Sequence, residues 1–240
     1  MAKPGTDGEA ATSPVKAEAA DGGYTMMEMV VVVMILGIVL AMVQTTLILT
    51  QRTVAGTGAR VNQTQQARVA IDSITKVLRT AVLPSQLNGT GSSSSAAAFI
   101  QGTSTSVQFY ANINNDANII GPSQVTYSVS ASGTLTEKVQ PPDAHAAGNY
   151  NYQYTCTTCA VIRVLATNVS TTQAMFTYYT QAGATITDSV LTAADLSSVD
   201  SVDVVVQVKA SANQTIQATT LYERVTLPNA DSVAIATSSP

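Results

Sequence analysis

From Met29 to Leu49 the chain reads MVVVVMILGIVLAMVQTTLIL, twenty-one residues without one charged side chain. At 1.5 Å per residue a helix of that length is about 31 Å long, close to the roughly 30 Å hydrocarbon core of a bilayer. The run is apolar all round, with no polar face to offer water. It must therefore be covered by lipid or by other helices.

What precedes it is of another kind. Met1 to Gly22 is rich in Ala, Gly, Pro, Lys, Asp and Glu and has no apolar periodicity, which predicts a leader that adds nothing to a core. A secretory signal would place a basic segment before a shorter apolar core and its small-residue cleavage site after that core. Here the small residues Gly22 and Gly23 come before the apolar run, and one carboxylate, Glu28, stands at its start. An ionised carboxylate drawn into hydrocarbon costs a few kcal/mol by insertion scales, so such residues usually have a function and a partner. Cleavage after Gly23 would give Tyr24 a new ammonium group. The Glu28 carboxylate could then pair with the terminus of a neighbouring subunit, a kind of buried pair that fixes register more than it stabilises.

The segment GGYTMMEMVVVVMILGIVLAMV resembles the prepilin signal of type IV pilins and type II secretion pseudopilins. The resemblance implies a membrane-bound prepilin peptidase that cuts between Gly23 and Tyr24 and methylates the new N-terminus at Tyr24. It makes Glu28 the assembly carboxylate. Gly23 lets an extended backbone enter a protease site. Implied partners are other pilin or pseudopilin subunits, the prepilin peptidase, the inner-membrane assembly platform, and membrane lipid before assembly. The leader carries Lys3 and Lys16 against Asp7, Glu9, Glu18 and Asp21, so orientation rests on this motif and hardly on positive-inside charge.

Beyond the apolar run, Gly56 and Gly58 could loosen a helix, but Val61, Ile71, Ile74, Leu78 and Ala81 recur at helical spacing until Pro84. Arg60, Gln63, Gln66, Asp72, Lys76 and Arg79 fall largely on other faces, which predicts an amphipathic stem. The Gly-, Ser-, Thr- and Ala-rich stretch to Ser106 reads as a flexible loop. Seven runs rich in Val, Thr and Tyr follow, at 107–110, 125–129, 135–139, 161–165, 175–179, 202–208 and 221–227. The clearest sets Val202, Val204, Val206 and Val208 on one face. The expected fold is α+β, pilin-like, with a long N-terminal helix packed against an antiparallel sheet. Its parts are a cleaved leader over 1–23, a membrane or filament-core helix over 24–49, a stem over 50–83, a loop over 84–106 and a β-rich domain over 107–240. The stretches SVQFYANI, GPSQVTYSVS, MFTYY and VTLPN also resemble the J-type minor pseudopilins and the corresponding minor pilins.

Charged residues are 11% of the chain and hydrophobic ones 45%, a balance suited to a membrane or a filament. Eleven basic residues are scattered singly against a formal net charge of −4, so no basic stripe for nucleic acid is indicated. Cys156 and Cys159 form CTTC; outside the cell they are a candidate local disulfide. A zinc site there would need His145 with Asp143 or water as the fourth ligand and is not expected. Asp195, Asp200 and Asp203 lack the ligand count of a calcium loop and read as solvated carboxylates. With one histidine, no G-x-S-x-G elbow and no phosphate-binding glycine loop, no nucleophile and base can be paired. The expectation is a structural subunit, a minor pilin or pseudopilin, with no catalytic residue, metal or cofactor. It would sit in the inner membrane with one span and its C-terminal domain outside the cytoplasm, then in a pilus or pseudopilus. The alternative from another class is a signal-anchored extracytoplasmic binding domain, with Tyr152, Tyr154, Tyr178 and Tyr179 touching a ligand.

Overall fold

The computed structural model describes residues 23–87, 97–144, 151–209 and 217–229; most of the expected leader and His145 lie outside these residues. The chain divides into two units, Met1–Arg52 and Thr53–Pro240.

The first unit contributes the beginning of helix α1, Met26–Leu78. Every side chain from Gly23 to Leu49 is exposed, valines, leucines and isoleucines included. The helix is long and apolar enough to cross a membrane. Its threonines suit that solvent. Thr45 and Thr46 donate to the Met42 carbonyl at 2.8 and 3.0 Å, and Thr50 donates to the Thr46 carbonyl at 2.9 Å. Each hydroxyl is thus satisfied within the helix, as hydrocarbon requires.

In the second unit the rest of α1 buries Gln63, Ala67, Ala70, Ile71, Ile74, Thr75 and Leu78, a spacing of three and four residues that makes one face. Gly56 and Gly58 lie inside the continuous helix. Val61, expected on the buried face, is exposed, and Gln63, expected outside, is buried with Oε1 accepting from Thr219 at 3.4 Å. The helix ends at Leu78, short of the expected residue 83. Ala81, Val82 and Leu83 are buried in extended backbone, with Ala81 bridging Ala111 and Val82 N–H donating to the Tyr110 carbonyl at 3.0 Å. Burial of these three apolar residues and pairing of Ala81 and Val82 win there over one more helical turn.

The sheets are two, where one was expected. The first is an antiparallel meander, β1 (Phe99–Gly102), β2 (Ser106–Ala111), β3 (Ser123–Val129), β4 (Leu135–Gln140) and β5 (Val161–Ala166), in that spatial order. The second orders β7 (Thr185–Ile186), β6 (Phe176–Thr180), β8 (Val199–Val208) and β9 (Thr219–Thr226), all antiparallel. The short helix α2, Ala193–Ser198, leads into β8. All seven expected strands are present with their ends moved by a few residues. The stretch 84–106 is not simply a loop: it contains a 3-10 turn at Pro84–Leu87 and strand β1. Phe99 explains the strand, since its ring packs 5.8 Å from Phe109 and 6.4 Å, edge on, from Tyr178 of the other sheet.

One core joins these pieces. Ile74 and Leu78 of α1, Phe109, Val125, Tyr127 and Leu135 of the first sheet, and Phe176 and the four alternate valines of β8 are all buried in a single cluster. The architecture is α+β and pilin-like, a long N-terminal helix packed on antiparallel sheets.

Candidate functional site

At the front of α1, Gly23, Tyr24 and Thr25 precede the first helical residue, and Tyr24 is 78% exposed. Thr25 starts the helix. Its Oγ1 accepts from the Glu28 N–H at 3.3 Å, and its carbonyl accepts from Glu28 and Met29 at 3.0 and 3.2 Å. Thr25-Met26-Met27-Glu28 has the S/T-x-x-E spacing of a capping box, a signal in the sequence that explains why a helix begins here. An acidic residue in the first turn also complements the positive end of the helix dipole. The cap uses the backbone of Glu28, and the carboxylate makes no ion pair among the described residues. A Cβ at Gly23 would meet nothing within 4 Å, and Gly23 has no left-handed φ. The folded chain itself therefore does not require glycine there.

Cys156 and Cys159 are joined in a disulfide whose Cα atoms are 5.4 Å apart. The bridge closes a 3-10 turn, Thr157–Cys159, directly before β5. Thioredoxin-type chemistry would place such a pair at a helix start after a strand, so this one is a local staple. Neighbouring groups already hold the segment. Asp143 accepts from the Thr155 hydroxyl at 2.7 Å, the Thr155 N–H at 2.8 Å and the Cys156 N–H at 3.1 Å, and these bonds hold its carboxyl below the usual carboxylate range. Gln140 donates to the Tyr154 and Cys156 carbonyls. Cys156, Cys159 and Asp143 thus serve the turn, while His145 lies outside the described residues.

Of the three aspartates considered for calcium, Asp195 and Asp203 have separate partners in the fold. Asp195 closes a capping box with Thr192 at the start of α2, and the hydrogen bonds from Thr192 lower its pKa. Asp188 beside it is raised by its contact with Asp195. Asp203 is not solvated: it is only 5% exposed, and the Arg224 guanidinium holds it with Nε–Oδ1 2.5 Å and Nη2–Oδ2 2.8 Å. Arg224 in turn lies 4.1 Å over the Tyr179 ring. Among the described residues no three His, Cys, Asp or Glu side chains gather as a metal site.

The tyrosines proposed to touch a ligand are largely committed to the fold. Tyr178 is buried and donates to the Thr103 carbonyl at 3.0 Å. Tyr154 donates to the Pro122 carbonyl at 2.6 Å and packs on Tyr110. Tyr152 closes over Gly121, whose φ of +105° and contact with that ring leave no room for a Cβ.

One cluster escaped the sequence reading. Glu137, 2% exposed, accepts from Tyr127 Oη at 2.6 Å through Oε1 and from Arg163 Nε at 2.7 Å through Oε2, while Ser73 of α1 donates at 3.3 Å. Burial, then the bond to Glu137, pushes the Tyr127 hydroxyl well above its ordinary pKa. The signal was present: in Leu135-Thr136-Glu137-Lys138-Val139 a period of two puts Glu137 on the apolar face. A carboxylate there needs a cation, which β5 supplies in register, since Arg163 pairs opposite Glu137. Neither a scan of protein-family models nor a search of curated proteins finds a match to this chain.

Three ion pairs lie among the described residues of the second unit: Glu137 with Arg163, Asp203 with Arg224, and Glu223 with Arg79 at 2.8 Å. These pairs tie helix to strand and strand to strand. The carboxylate at the front of α1 is in none of these pairs, and an exposed apolar run follows it in the helix.

Proposed function

We propose that this chain is a prepilin, inserted by α1 into the cytoplasmic membrane, cut between Gly23 and Tyr24, N-methylated at Tyr24, and assembled as a minor pilin or pseudopilin. The reading makes it a structural subunit and not an enzyme. The observation that carries it is the conjunction of a carboxylate in no ion pair among the described residues, Glu28, with the exposed apolar first half of α1, directly behind an exposed Gly23-Tyr24 bond. Each part has a physical use in such a subunit. A helix exposed all round can be covered by lipid before assembly and by neighbouring helices afterwards. The carboxylate can neutralise the ammonium group of an adjacent Tyr24 only after cleavage creates it. Glycine at position 23, which packing does not require, suits an extended backbone in a protease site.

The deciding experiment is intact mass and N-terminal sequencing of the protein from membranes of cells with and without prepilin peptidase. The expected result is a peptidase-dependent terminus at Tyr24 carrying one extra methyl group. A leader retained in both strains would refute the proposal and leave a signal-anchored extracytoplasmic binding domain.

A further inference from the structure

The first hydrogen bonds of α1 converge on Thr25. Its carbonyl accepts from the N–H groups of Glu28 and Met29 at 3.0 and 3.2 Å, and its Oγ1 takes the Glu28 N–H as well, at 3.3 Å. Thr25 is thus the N-cap, bound to the helix but not part of it. Gly23 and Tyr24 are exposed and non-helical, and among the described residues no backbone N–H donates to either of their carbonyls. The sequence offers a second start. Glycine caps a helix about as well as threonine, so Gly23 is a rival cap upstream of Thr25. A helix begun there would draw Tyr24 and Thr25 into its first turn, and the Gly23 carbonyl would accept from the Met27 N–H. Two properties of Thr25 decide against it: its hydroxyl bonds Glu28, which glycine cannot imitate, and its branched side chain suits a cap better than a helix interior.

We infer that Thr25 is a positioning residue for cleavage of the Gly23-Tyr24 bond: by starting α1 at Met26 it keeps that peptide out of the helix and its carbonyl free. This role rests on the prepilin reading and adds a residue to it. In the hydrolysis, water gives its OH to the Gly23 carbonyl carbon, the C–N bond breaks, and the Tyr24 nitrogen takes the proton. The negative charge that develops on the Gly23 oxygen needs donors supplied by the peptidase. An oxygen already bonded to the Met27 N–H, within a helical turn, would be turned away from them. The Thr25 hydroxyl touches neither the reacting atoms nor water's point of attack; it acts through the backbone of Glu28 alone. Thr25 thereby also explains how a helix-forming apolar run can follow a scissile bond so closely without absorbing it.

The test compares Thr25→Ala, Thr25→Ser and Thr25→Gly with the natural chain, each as the full chain in detergent micelles with purified prepilin peptidase. Cleavage is followed by intact mass, and the start of α1 by the carbonyl-carbon chemical shifts of Gly23 and Tyr24. Alanine caps poorly and is the best helix former, so it moves the balance toward the longer helix by about tenfold. The kcat/KM of cleavage draws on the non-helical fraction and should fall about three- to tenfold in Thr25→Ala, while the Tyr24 shift turns helical. Serine and glycine both cap well, so those two variants should restore the natural helix start and the natural rate. Cleavage of Thr25→Ala at the natural rate, or a helix start that does not move, overturns the inference. So does Thr25→Gly cut as slowly as Thr25→Ala, because the peptidase would then be reading the side chain itself. A natural chain that is not cut at all refutes the prepilin reading and this role with it, whereas equal cutting of the natural chain and Thr25→Ala removes only the role of Thr25.

Discussion

At the scale of single residues the second unit is governed by carboxylates that would be costly to bury alone. Asp203 shows this with a definite sign. Arg224 first, then bonds from Tyr179 and Tyr222, hold its pKa below the ordinary value in the folded chain. In the unfolded chain it titrates near pH 3.9, so in acid the unfolded state takes up a proton first. The stabilisation is therefore complete above about pH 4 and is lost as pH falls through the lower folded pKa. Thermal unfolding of the full chain in detergent between roughly pH 5 and pH 2 should lose stability less steeply for Asp203→Asn than for the natural chain; equal slopes would exclude this role. Glu137 was hidden from composition, because an acid on an apolar face looks like any other acid until the strand's period is applied to it; Asp203 falls on the face opposite the four valines of β8, where the period gives no sign of burial. Their partners could not be read at all. Arg163 lies 26 residues and Arg224 21 residues further along the chain, and only the register of the sheets brings each opposite its carboxylate.

At the scale of elements, what was legible is what repeats locally. The apolar run, the helical spacing through Ile71, Ile74 and Leu78, and the alternating valines of β8 each announce themselves within ten residues or so, and all are present. Two things depended on distant neighbours. Strand β1 exists because Phe99 meets Phe109 and Tyr178, and α1 stops at Leu78 because Ala81 and Val82 pair with β2. The division into two sheets likewise follows from pairing partners, which local patterns do not name. The helix face itself can be tested. Ile74 is fully buried, so Ile74→Ala should cost about 2–5 kcal/mol, whereas Val69→Ala on the exposed side should stay within about 0.5 kcal/mol. Denaturant titration of the full chain in mild detergent measures both, and similar costs would mean that the helix presents another face. The disulfide is a smaller element. Its loop spans three residues and Asp143 already fixes the turn, so Cys156→Ser with Cys159→Ser should cost at most about 2 kcal/mol.

At the scale of the whole molecule, the first unit is an exposed apolar helix and the second has a buried core, and the proposed reading of the first is tested at Glu28. Of the candidate site, Gly23, Tyr24 and Glu28 were legible because residue type and order carry the signal without any tertiary contact. What the sequence reading lacked was Thr25, which gives the helix start a purely local explanation. The two accounts of Glu28 make different demands. If it serves only the helix start, the essential bond runs through its backbone, and glutamine, which is also found at that position of capping boxes, should serve as well. If its charge meets the ammonium group of a neighbouring Tyr24, glutamine keeps shape and cap but loses the attraction. Removing a charge from the edge of hydrocarbon should also ease insertion, so membrane retention cannot fall for want of affinity. Glu28→Gln is therefore expected to fractionate with membranes as the natural chain does, to be cut after Gly23, and to fail to enter sheared filaments. Normal incorporation of Glu28→Gln would assign the carboxylate to the helix start alone and remove it from assembly.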